Sequence, residues 1–357
     1  MGRYIGRNRQ KPPPIAIIIF MACITLYILG SSIINLPTSI YLPDNLKETF
    51  SSNIPRQQYA VANFVDNGHQ YLYGAYSIHQ QLVKYNMTRR CINATNHDYG
   101  RSIGDITHIA VVSNSLSKEY RHVLNTWLGE ENIRVIDNGY ILDQLTPAQK
   151  MWKGTFNKLS FFNLTEFDKV ITLDTDVLVR SNIMHWFDYD TPCAIQANDD
   201  LNWNSGAMVI HPDTYAFEEM VRTLPKIQRY GSNQVYEHDP LTNGYGDQDF
   251  ISAFFLNNST TATKRCIMPT ESAVLVSSLD GNQWFDYYNK YRPWVYQTVH
   301  FTTLKPWRDG VQSRNPFLCL LLREWKDSIA GIEEYYDLIP PLKNYYLAKC
   351  PNTSVTA

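Results

Sequence analysis

The sequence predicts an α/β fold with a mainly parallel sheet, preceded by one membrane-spanning helix. Three observations predict it. Short apolar runs alternate with amphipathic helical stretches from Tyr59 onward, the run from Val170 to Leu173 leads straight into Asp174-Thr175-Asp176, and Ile15 to Ile34 carries no charge. Alternating strand and helix favours right-handed crossovers and parallel neighbours.

The N-terminal elements come first. A helix over Ile15–Ile34 would be about 30 Å long, the thickness of a bilayer core. Arg3, Arg7, Arg9 and Lys11 precede it with no acidic residue, so the short tail is expected to stay cytosolic and the remainder to be luminal. Gly30-Ser31-Ser32 offers small residues for a cleaved signal, but the apolar run exceeds a usual signal core, which favours an uncleaved type II anchor. The expected organisation is a tail over 1–14, an anchor over 15–36, a stem over 37–56 and a luminal domain over 57–350.

Without the four tail cations, 28 Lys+Arg face 34 Asp+Glu, a formal charge of −6. That balance points away from nucleic acid as a partner. Acceptor sequons at Asn86, Asn93, Asn257, Asn258 and Asn352 suit a luminal chain. The sequon Asn163-Leu164-Thr165 lies just before the acidic strand, where packing is expected to hide it. Cys91, Cys193, Cys266, Cys319 and Cys350 have no Cys-x-x-Cys spacing, so disulfides are expected rather than zinc, with the pairing open.

In the luminal part, Tyr59–Phe64 reads as a first strand, followed by a polar turn at Asp66-Asn67-Gly68 and a helix from near Gly74. Ile106–Val112 reads as the second strand. A helix follows with Tyr120, Val123, Leu124, Trp127 and Leu128 on one face and Gly129 as its stop. Ile133–Ile136 is the third strand. This is the plan of a nucleotide-binding domain, yet neither a Gly-x-Gly-x-x-Gly turn nor a phosphate-binding lysine loop is present. Bound phosphates would need metal and side chains instead.

The fourth strand supplies candidates. On a strand, side chains at i and i+2 share a face, so Asp174 and Asp176 are expected to converge on one hard cation at its carboxyl end. His300 and Lys305, in Val299-His300-Phe301-Thr302-Thr303-Leu304-Lys305-Pro306-Trp307, offer an imidazole to complete such a site and an ammonium to neutralise phosphate. Asn204-Ser205-Gly206 also suits a turn, Asp247-Gln248-Asp249 a helix cap, and Lys158 a solvated helix position.

Taken in order, these segments resemble glycosyltransferase family 8, the glycogenin-like retaining enzymes, from about Tyr59 to Trp307. Tyr71-Leu72-Tyr73-Gly74-Ala75 is similar to the family's nucleotide-side motif, and Lys158 sits where a family lysine precedes the metal strand. Asp174-Thr175-Asp176 is its Asp-x-Asp, Asn204-Ser205-Gly206 its sugar-contacting segment, Asp247-Gln248 its acceptor-side pair, and His300 with Lys305-Pro306-Trp307 its closing loop. The wording Phe162–Ile171 is closest to fungal Golgi enzymes that transfer N-acetylglucosamine to mannan-type glycans, although plant glucuronosyl and galactosyl relatives share the skeleton.

The resemblance implies a GT-A-type single Rossmann-like nucleotide-binding domain, a UDP-sugar donor, a glycan acceptor, Mn²⁺ or another divalent cation, and a type II Golgi membrane address. It assigns Asp174, Asp176 and His300 to the metal. Tyr71, Lys158, Asp174, Asn204, Ser205, Gly206 and Lys305 go to the donor, and Asp247, Gln248 and Lys305 to catalysis. Thr303 departs from the pattern near a usual glycine, which puts close backbone approach to phosphate in doubt. Tyr335, Tyr336, Tyr345, Tyr346 and Trp325 are expected to pack on the main domain or to form an acceptor platform.

Overall fold

A computed structural model describes residues 58–66, 68–88, 106–145, 153–197, 203–224, 246–257, 266–276, 296–302, 304–307, 316–339 and 341. All lie within one compact unit, Gln57–Ala357. The expected tail, anchor and stem, Thr303, and the sequons at Asn93, Asn258 and Asn352 lie outside the described residues. Among the described residues no helix is long and apolar enough to cross a membrane.

The chain starts with β1 (Tyr59–Val65) and α1 (His69–Lys84), then β2 (Thr107–Ser113), α2 (Lys118–Leu128) and β3 (Ile133–Ile136). Ser117 caps α2 by accepting from the Tyr120 amide at 3.2 Å, and Gly129 ends it at φ 85°, a conformation that costs glycine little. A five-residue helix α3 (Asn138–Leu142) and a 3-10 stretch, Thr155–Asn163, lead to β4 (Lys169–Leu173). Next come β5 (Val177–Val179), β6 (Cys193–Gln196), β7 (Trp203–Ile210), α4 (Thr214–Thr223) and α5 (Asp247–Asn257). β8 (Cys266–Ile267), β9 (Ala273–Leu275), β10 (Thr298–His300) and α6 (Pro316–Ser328) complete the labelled elements.

The main sheet runs β3-β2-β1-β4-β7-β6-β8, and its first four strands are parallel. β7 runs antiparallel to both β4 and β6, so the sheet is mostly rather than wholly parallel. Side-chain alternation builds two faces. Ala60, Ala62, Phe64, Ile109, Val111 and Val170 bury against the 3-10 stretch, α4 and α5, while Val65, Ala110 and Val112 bury against α1, α2 and α6. Strand order reverses direction between β1 and β4, the switch point beside which α/β sheets bind ligands.

A second sheet, β5-β10-β9, carries the end of β10 back to the start of β5, with His300 opposite Val177. Cys193 and Cys266, register partners on β6 and β8, form a disulfide. Trp325 is buried and Tyr335 meets Trp127 edge to face at 5.4 Å, so this C-terminal part packs into the core, whereas Tyr345 and Tyr346 lie outside the described residues.

Three local expectations change. α1 begins at His69, one turn before Gly74, because Gly68 already supplies the extended N-cap. Asp174, Thr175 and Asp176 do follow the carboxyl end of β4, but as a tight turn into β5 rather than as extended strand, closed by the Val177 amide on the Asp174 carbonyl at 2.9 Å. Asn163 and Thr165 are exposed; only Leu164 between them is buried.

Candidate active site

The turn after β4 is held from three sides. The Asp174 amide donates to the Gly206 carbonyl on β7 at 2.9 Å, and the Phe301 amide beyond β10 donates to the Asp176 carbonyl at 2.9 Å. From the third side α1 approaches so closely that a Cβ on Gly74 would collide with the Thr175 backbone. Gly74 is thus needed for approach, not for helix geometry.

The β5–β10 ladder then delivers His300. Its Nε2 lies 3.3 Å from Asp176 Oδ1 and 3.6 Å from Asp174 Oδ2, and one ligand atom from each of the three residues falls within a common 4.8 Å. His300 Nδ1 lies 2.9 Å from Asn204 Oδ1. An amide oxygen only accepts, so Nδ1 carries its proton toward Asn204 and Nε2 is the nitrogen turned toward the carboxylates. Two carboxylates and an imidazole nitrogen suit a borderline divalent cation such as Mn²⁺, so the residues present fit the group.

Asn204 has further partners: its Oδ1 accepts from the Gly206 amide and its Nδ2 donates to Gln248 Oε1, each at 3.0 Å. A Cβ on Gly206 would run into the His300 ring. Asn204 and Gly206, which resemblance assigned to the donor, therefore also set the imidazole's position.

Lysines flank the trio. Lys158 Nζ donates to Asp174 Oδ2 at 2.7 Å, lies 3.2 Å from Asp247 Oδ2, and reaches Ser205 Oγ at 3.5 Å. Ser205 Oγ in turn donates to Asp247 Oδ2 at 2.6 Å. Burial alone would lower the Lys158 pKa, but Asp174 and Asp247 override it and hold the ammonium above lysine's ordinary range. On the other flank Lys305 pairs with Asp176 Oδ2. Burial pushes the Asp176 carboxyl up, yet His300 and Lys305 win and hold it well below the usual range. Asp174 shifts the other way: burial, helped by Asp176, outweighs Lys158. Carboxylates perturbed in this way cluster at functional sites.

A cleft of about 320 Å³ opens over these groups, lined by Phe64, Asp66, Tyr71, Thr155, Lys158 and Trp307 among others. Tyr71 and Trp307 meet edge to face at 5.8 Å at its rim. Burial, then Asp66, Asp176 and Asp174, raise the Tyr71 phenol, which stays protonated at neutral pH. Trp307 is anchored by Trp325 of α6 at 6.1 Å. Of the residues named from sequence, Asp174, Asp176, His300, Lys305, Lys158, Ser205, Asp247, Asn204 and Gln248 form one connected network, Gly206 lies beneath the imidazole and Tyr71 faces the cleft. Asp66 and Thr155 were not foreseen; Asp66 follows β1 at the switch point, where topology places ligand contacts.

The fold is a GT-A-like α/β fold, and the homologues of this chain are glycosyltransferases. No protein-family model matches the chain. Inositol phosphorylceramide glucuronosyltransferase 1 of Arabidopsis thaliana is 29% identical over 162 residues, covering 44% of this chain and 26% of that protein. UDP-glucuronate:xylan alpha-glucuronosyltransferase 1 of the same plant is 23% identical over 272 residues, covering 74% and 35%. Among solved structures, the glycosyltransferase GlyE of Streptococcus pneumoniae TIGR4 superposes with TM-score 0.51 at 15% identity, covering 79% of this chain and 63% of that one. The bifunctional glycosyltransferase WbbM gives 0.50 at 15%, covering 80% and 52%. The chain spans less than two thirds of each of these proteins.

Proposed function

We propose that the protein is a retaining, metal-dependent glycosyltransferase of family 8 that moves a neutral hexose, glucose or N-acetylglucosamine, from a UDP-sugar to a glycan acceptor. The observation that carries it is the convergence of Asp174, Asp176 and His300 on one point, flanked by Lys158 and Lys305, at the switch point of a GT-A-like sheet. A divalent cation held by Asp174, Asp176 and His300, Mn²⁺ by preference, would supply positive charge against the donor's diphosphate.

The chain's own groups share the remaining work. Tyr71 and Trp307 offer ring surface at the rim of the cleft for the base. Lys305 neutralises the leaving UDP as the bond between the anomeric carbon and the phosphate oxygen breaks and its electron pair departs with UDP. The acceptor hydroxyl oxygen bonds to the same face of that carbon, and the departing phosphate oxygen takes its proton. Lys158 with Ser205 holds the donor sugar, and Asp247 with Gln248 orients the acceptor or supports the developing oxocarbenium ion.

Charge balance supports a neutral donor. Among the described residues around the cleft, Asp66, Asp174, Asp176 and Asp247 face Lys158 and Lys305. Lys158 already lies against two carboxylates, so a uronate would bring a further negative charge to a lysine without spare capacity. The names of the plant relatives favour a second reading, a glucuronate donor. A luminal, type II Golgi placement through an anchor over 15–36 is supported by the uncharged run at Ile15–Ile34, by the basic tail, and by a disulfide suited to an oxidising compartment.

Substituting Asp176→Ala tests the assignment. Turnover should fall at least about 100-fold, as loss of a directly charge-stabilising group does, while circular dichroism and the melting transition stay close to wild type. A folded variant with wild-type turnover would overturn it.

A further inference from the structure

We propose that Asn163 carries an N-linked glycan, an inference that rests on the luminal placement argued above. Asn163-Leu164-Thr165 fits the acceptor pattern. Buried Phe161, Phe162, Leu164 and Phe167 pin the backbone on either side, so the acceptor asparagine and its threonine are turned outward.

The atoms are set for it. Asn163 Oδ1 accepts from Thr214 Oγ1 at 3.2 Å, and among the described residues Nδ2 has no acceptor. In the transfer, Nδ2 bonds to the anomeric carbon of a lipid diphosphate-linked oligosaccharide and gives up one proton, while the bond from that carbon to the diphosphate breaks with its electron pair. Oδ1 is untouched, so the contact with Thr214 survives.

Position and surroundings agree. Asn163 lies before β4, beside the Phe162 carbonyl that accepts from the Asp213 amide at 2.8 Å, whereas Asp174 follows β4 at its other end. A glycan there leaves the cleft open. Next to Thr214, Tyr215 is 74% exposed, and Tyr140, whose ring lies 6.1 Å from that of Phe217 on the same helix, is 53% exposed. These rings give the first sugar a surface to cover.

The test is expression of the full chain in a eukaryotic secretory host, followed by peptide mass spectrometry after enzymatic deglycosylation in heavy-oxygen water. The Asn163 peptide should be labelled. Asn163→Gln and Thr165→Ala should each remove one glycan from the denatured chain, Thr165→Ser should keep it, and UDP release should stay within about twofold, as for most surface changes. An unlabelled Asn163 beside labelled sequons at Asn86, Asn93 or Asn352 would overturn the inference and leave the luminal placement standing. No label at any sequon would overturn both.

Discussion

Asn204 links three neighbours through two atoms, and its Oδ1 fixes which nitrogen of His300 can face a metal. Removing such an outer partner ordinarily costs 10- to 100-fold in metal affinity. Asn204→Ala should therefore weaken Mn²⁺ binding by about 10- to 100-fold, read by titration calorimetry; unchanged affinity would show that the imidazole needs no such lock. At this scale the sequence was informative about identity and less so about geometry. Asp174, Asp176 and His300 were legible as ligand types, but their convergence comes from a turn and a ladder between distant segments, which strand periodicity does not encode. Proximity to a core strand suggests burial for Asn163, whereas the chain turns outward there.

Between elements, the contact of α1 with the turn after β4 decides how the carboxylates are held. Gly74→Ala should push that helix off Thr175, at about 1–3 kcal/mol for an overpacked site, and lower both the melting temperature and Mn²⁺ affinity. If both stay at wild-type values, the close approach has no structural weight. A second device lies between β1, β2 and α1, where His108 Nε2 meets Asn63 Oδ1 at 2.6 Å and its Nδ1 lies 3.4 Å from His79 Nδ1. Burial, then His79, hold the His108 pKa well below 6.5. The unfolded chain thus binds the extra proton first. Stability is full above about pH 6.5 and declines as pH falls below it, by up to about 1.4 kcal/mol per pH unit until the folded pKa is reached. Melting curves between neutral and mildly acidic pH should show this slope, flattened in His108→Asn; an equal slope in both would remove His108 as the cause. The early elements were legible because capping and periodicity are local, as at Ser117 and Gly129. The antiparallel insertion of β7 was not, since nothing within β7 itself states its direction.

For the whole molecule, the four parallel strands, the switch point between β1 and β4, and the charged network above it form one arrangement, and glycosyltransferases are its relatives in sequence and fold. Transfer from a neutral UDP-sugar is the central chemistry proposed for this molecule. UDP release by the purified full-length chain with Mn²⁺, compared across UDP-glucose, UDP-N-acetylglucosamine and UDP-glucuronate, with and without mannan-type and other glycans, tests this most directly. Release with one of the first two donors, rising with one acceptor and abolished by metal chelation, is the predicted result. Preference for UDP-glucuronate would contradict the charge argument, and no release from any donor by folded protein would contradict the transferase itself.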